Sequence, residues 1–229
     1  MNAWSKLTRF SKTILIISVI LLIGQIVSAA VSAEEVVLEH LAFLIFENLL
    51  MILFVFVPPF FGLAAKFQVP KSLEIAFISF CFSALILGDL FDFYGRFVWW
   101  DTMLHGLSGI MLGIIGYMAV YALKNAGISL PPIFVSIWII CFSLALGAFW
   151  EICEYVFDGM FGLNSQEFLA GSSTFYESIP REGREALKDT MDDLILDFVG
   201  AGIISVSSLI ATKHHITDRH QENENINCM

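Results

Sequence analysis

The sequence predicts an all-α, polytopic membrane protein: a helical bundle of about six transmembrane segments with both termini cytoplasmic. Three observations lead there. Of its 229 residues, 57% are hydrophobic and only 15% charged, and the mean hydropathy is +0.78; this excludes an ordinary soluble domain and a disordered chain alike. Six apolar stretches, over about 12–32, 41–64, 72–92, 103–123, 132–155 and 192–212, are near the roughly 20 residues that cross a hydrocarbon core about 30 Å thick. Lys and Arg then orient the chain, because basic residues accumulate on the cytoplasmic side. With the N-terminus inside, Lys6, Arg9, Lys12, Lys66, Lys71, Lys124, Lys213 and Arg219 are cytoplasmic, and Arg96, Arg181, Arg184 and Lys188 are outside.

The first segment is read as a retained helix. Lys6 and Arg9, followed by an apolar run and the small residues before Glu34, also fit a signal peptide cleaved near Ala33. Either version leaves Glu34 outside and the later topology unchanged. In the second segment Pro58-Pro59 implies a kink, and Pro131-Pro132 opens the fifth at a position where a missing N–H costs nothing. Between the fifth and sixth segments, residues 156–188 are rich in Gly, Ser and charge. That loop is too long for a plain connection, so it is either a substrate-facing lid carrying Asn164 and Gln166 or a solvated linker. Residues 1–212 thus make one transmembrane domain, and 213–229 a polar, disordered cytoplasmic tail.

The net charge of −10 offers no basic patch, which excludes nucleic acid as a partner. Cys81, Cys141, Cys153 and Cys228 form no CxxC pair or disulfide framework and read as packing residues.

The informative feature is where the embedded acids lie. The stretch WWDTMLHGLSG, Trp99–Gly109, places Asp101 and His105 one helical turn apart, on a face that continues through Gly109, Gly113 and Gly116. On the fifth segment Glu151, Glu154 and Asp158 extend a stripe through Gly147 and Ser143; on the sixth, Asp193 and Asp197 extend one through Ala201, Ser205 and Ser208. Small residues on such stripes mark close helix contact in membranes, so the three converge on one outward-opening pocket, with Asp89 and Asp92 of the third segment at the same level. Trp99 and Trp100 read as an interfacial aromatic belt.

A carboxylate in hydrocarbon is costly, about 2.5–3.5 kcal/mol at a helix centre on insertion scales. The cluster therefore needs protons or a cation, and carboxylates with one neutral imidazole suit Mn, Zn, Fe or Mg. The candidate metal ligands are His105, Glu151, Glu154 and Asp197, followed by Asp101 and Asp193. A proton-sharing acid network and helix capping are the alternatives; capping suits Asp101 and Asp189 at helix starts but not His105, Glu151 or Asp197.

The blocks WWDTMLHGLSG, FWEICEYVFDGMFGLNSQ and DTMDDLILDFVGAG resemble those of the uncharacterised YjdF-like family of bacterial inner-membrane proteins. A looser resemblance is to VanZ-like membrane proteins, through Asp101 and His105, Glu151, and the run Asp193, Asp197, Gly200 and Ala201; Asp197 stands where that pattern commonly has Asn. These resemblances imply a multi-pass protein of the bacterial cytoplasmic membrane, contacting membrane lipids, and imply no particular reaction.

Three function classes follow. In the first, a metal at the pocket acts on a lipid head group or lipid-linked phosphate, with Glu151 or Glu154 as catalytic general base. In the second, the acids serve cation- or proton-coupled transport, with Glu47 and Asn48 as the extension toward the membrane middle. In the third, they hold helices together without catalysis.

Overall fold

A computed structural model describes residues 6–32, 34–64, 69–125, 127–170 and 179–227. Among the described residues the fold is all-α apart from one antiparallel pair of two-residue strands, and six helices are long and apolar enough to cross a membrane. Contacts divide it into two compact units, Met1–Leu104 with Ile152–Asp189, and His105–Glu151 with Thr190–Met229.

In the first unit, α1 (Arg9–Val31) begins at Thr8, whose hydroxyl accepts from the Ser11 amide at 3.2 Å. The same Thr8 and Ser11 hydroxyls donate to Glu74, in the first turn of α4 (Lys71–Phe82). Deeper in α1, Gln25 donates to the Leu44 carbonyl at 3.1 Å and accepts from Asn48 at 2.8 Å, both on α2 (Glu35–Phe54). These buried polar pins fasten α1 to its neighbours while Ile20 and Ile23 stay mostly exposed, as lipid-facing side chains do. Ala33, the cleavage point considered above, lies outside the described residues.

The second span breaks at Val55–Phe56 before α3 (Val57–Ala64). Pro58 and Pro59 have no N–H to return to Phe54 and Val55, so the ladder cannot continue there. The third span departs from the regular helix expected over 72–92. It runs as α4 and then as a π-helix, Ser83–Leu90, with the Phe91 amide bonding five residues back to Ile86 at 3.1 Å. Asp92 then turns the chain with φ 57, a left-handed conformation Asp tolerates better than most residues. α5 (Phe93–Arg96) follows, and its Phe93 joins Phe97, Trp99 and Trp100 in an aromatic cluster.

The fourth span is α6 (Trp100–Asn125) and the fifth is α7, Pro132–Phe161, with Pro132 in its first position. α7 outlasts the expected 132–155 and stops at Gly162, where φ is +65. Asp158 near its end accepts from the Ser165 and Gln166 amides at 2.7 and 3.0 Å. The Asn164 side chain donates to the Leu169 carbonyl at 3.1 Å and accepts from the Leu169 amide at 2.8 Å. Leu169–Ala170 (β1) pairs antiparallel with Ile179–Pro180 (β2); residues 171–178, the middle of the expected lid, lie outside the described residues.

The last helix, α8 (Lys188–Asn227), runs on past the expected 192–212 through residues 213–227 of the polar tail. No Gly or Pro between Lys213 and Asn227 stops it. The side chains of His214, His215 and His220 lie outside the described residues.

The Gln25–Asn48 pair is a separable stabilising element. Gln25→Leu or Asn48→Leu alone leaves a buried amide without its partner and is expected to cost about 1 kcal/mol or more. The double replacement should cost less than the sum, as thermal unfolding of the four proteins in mild detergent would show.

Candidate functional site

The geometry of the site begins with what three glycines lack. A Cβ on Gly109 would lie 2.7 Å from the Cα and carbonyl oxygen of Asp197, and one on Gly200 would lie 2.7 Å from the Ile110 nitrogen. Real Cβ atoms do not come that close, so α6 and α8 cross almost backbone to backbone at this point. A Cβ on Gly147 of α7 would run into the Asp197 carboxylate. Asp197, 1% exposed, therefore occupies space that side chains at Gly109 and Gly147 would take, and its carboxylate accepts from the Ser108 hydroxyl. Ser108 also reaches the His105 carbonyl at 2.7 Å.

Below this crossing the packing continues in register. Gly113 lies against Ala201 and Ile204, Gly116 against Phe142, and Ser136 and Ser205 exchange hydroxyl-to-carbonyl bonds of 3.4 and 3.1 Å. α6 and α8 thus run in the same direction and α7 against them.

The register fixes what stands one turn the other way. Stepping from Gly109 reaches His105, from Asp197 reaches Asp193, and from Gly147 reaches Glu151. All three are buried, at 7%, 3% and 5% exposure. His105 Nε2 and Asp193 Oδ2 are 3.8 Å apart, too far for a hydrogen bond. α6 also carries Asp101 one turn before His105, on the same helix face. Two ligands of one cation, each about 2.1 Å from it, stand about 3–3.5 Å apart, so a small inward adjustment would close this set around an ion. Two carboxylates would balance a divalent charge, and the neutral imidazole would add a nitrogen donor.

Of the residues singled out in the sequence, the second unit thus brings His105 and Asp193 together, and Asp101 stands one turn before His105 on α6. Asp197 sits one turn deeper, at the glycine crossing, and Glu151 shares the level of His105 by register. Glu154 lies within electrostatic range of Tyr94, in the first unit, together with Asp89, Asp101 and Glu47. Burial, then those four carboxylates, push the Tyr94 phenol well up from its ordinary pKa, so it stays a neutral hydrogen-bond donor. Asn164 and the Gln166 backbone amide hold the turn between α7 and β1. Sequence reasoning missed Tyr94; helical spacing could not show it, because the left-handed Asp92 redirects the chain between the π-helix and Tyr94.

The crossing itself is testable by size alone. Gly109→Ala and Gly200→Ala should each destabilise the protein severely, by about 2–5 kcal/mol as overpacking against backbone permits no easy relief. Gly106→Ala, with nothing within 4 Å of the added methyl, should be neutral or stabilising by up to about 1 kcal/mol; yield and melting temperature in detergent would show the contrast.

No curated protein and no solved structure matches the chain. A family model does match, over residues 11–214, nearly the whole membrane-spanning chain. The chain belongs to the family described as predicted membrane protein, DUF2238.

Proposed function

We propose that this integral membrane protein binds one divalent cation through Asp101, His105 and Asp193, and that the cation is the working part of a site facing lipid head groups. The observation that carries the reading is the 3.8 Å approach of the His105 imidazole to the Asp193 carboxylate, both nearly removed from solvent, with Asp101 one turn before His105 on α6. Mixed oxygen and nitrogen donors suit Mn, Zn, Fe or Mg. Glu151, one turn along α7 from the glycine crossing, and Glu154 are the general-base candidates for water activated on the metal. A bound cation would also reverse the local field, which an anionic lipid phosphate would otherwise find repulsive.

The orientation inferred from Lys and Arg puts this site at the outer face of a bacterial cytoplasmic membrane, the setting that the YjdF-like resemblance implies. Cation or proton transport is the second reading, favoured by the buried carboxyl group of Glu47 within the second span.

Elemental analysis of the protein in mild detergent, after equilibration with Mn, Zn, Fe and Mg in turn, tests the proposal. About one tightly held metal ion per chain is expected, lost in His105→Ala and Asp193→Asn and kept in Asp92→Asn, whose side chain is exposed. A wild-type protein that retains none of the four metals, or variants that bind as well as wild type, would refute it.

A further inference from the structure

The connection between the third and fourth spans turns apolar side chains outward. The third span ends at Leu90 and the fourth begins at Trp100, so residues 91–99 stand where the bilayer ends. After the left-handed Asp92, α5 and the extended Phe97 lead to a tip at Val98 and Trp99 that belongs to neither helix. Val98 is 95% exposed, the largest fraction of any described large apolar side chain, and Phe91, Phe97 and Trp99 are exposed beside it. A loop that met only water would not present Phe, Val and Trp in succession, because each would leave apolar surface wet.

Ring contacts back the tip. Centroid to centroid, Phe93 is 5.2 Å from Phe97 and 4.8 Å from Trp100, and Trp99 is 5.8 Å from Phe97 and 5.7 Å from Trp100, all within the range of favourable aromatic pairs. Arg96 and Asp92, 3.7 Å apart and each more than half exposed, supply the polar side of the segment. Among the described residues the amides of Val98 and Trp99 have no hydrogen-bond partner. Main-chain groups in that state do not enter hydrocarbon, so the backbone stays at head-group level and only side chains reach below it.

We propose that Phe97, Val98 and Trp99 insert into the adjoining leaflet as a membrane anchor, with phospholipid as the partner of this surface. An aromatic belt accounts for Trp99 and Trp100; it does not account for Val98, which has no polar atom to place among head groups. Continuity selects lipid over a protein partner, since the spans on both sides of the segment already lie in the bilayer. Trp100 belongs both to the ring cluster and to the first turn of α6, so the anchor also fixes the depth at which that helix starts. This lipid contact does not depend on occupation of the cation site.

Carbene photolabelling of the full chain in phosphatidylcholine vesicles reads the contact directly, with one diazirine probe on a phospholipid acyl chain, another dissolved in the water, and adducts located by peptide mass spectrometry. The lipid probe should label Phe97–Trp99 and the aqueous probe should not. Val98→Asp should lose most of the lipid labelling of that peptide, while labelling of the exposed Ile20 and Ile23 on α1 stays unchanged. Should that variant fail to fold, the wild-type ratio of the two probes decides. Labelling of the tip mainly from water, a tip that neither probe reaches because another protein chain covers it, or undiminished lipid labelling in a folded Val98→Asp would overturn the proposal.

Discussion

The close crossing of α6 and α8 at Gly109 and Gly200 is the constraint on which the candidate site depends. In a bilayer, apolar side chains gain little by leaving lipid for protein, so helices associate through packing and polar contacts where small residues let backbones meet. Here the Asp197 backbone lies in the space left at Gly109, and its carboxylate in the space left at Gly147. The crossing sets the height of one helix against the next, and that height brings His105 and Asp193 to the same level. A side chain in the crossing would displace His105 and Asp193 above it even though it touches neither of them.

The same chain meets the cost of embedded acid in different ways. Glu74 is satisfied by hydroxyls of α1, and Asp158 by two backbone amides of the turn that follows it; both are structural uses of a carboxylate. His105 and Asp193 bring a nitrogen and an oxygen donor within 3.8 Å of each other, which suits a cation. The proposal for this last pair follows from donor chemistry, since hydroxyls and amides hold a carboxylate in place but neither supplies positive charge.

Much of the fold was legible because membrane spans leave a strong record in composition and length. The small-residue stripe through Gly109, Gly113 and Gly116 could be read as a contact face because 3.6-residue spacing survives in a regular helix. Spacing also placed Asp101 and His105 together, since both lie on α6. What could not be read were departures from that period. The π-helix shifts Asp89 relative to the regular helix expected over 72–92, and Asp92 in the left-handed region redirects the chain so that Tyr94 returns to Gly88. The helical continuation to Asn227 was missed for another reason: its polar residues suit solvent but also favour helix when nothing interrupts an existing one.

The central claim is that the helix crossing holds an imidazole and carboxylates around one cation. Pulsed electron paramagnetic resonance of the protein loaded with one equivalent of Mn2+ tests it most directly, because a coordinated imidazole nitrogen couples to the electron spin. The account predicts coupling from a single histidine nitrogen, absent in His105→Ala. Bound Mn2+ without nitrogen coupling, or coupling that persists in that variant, would contradict it.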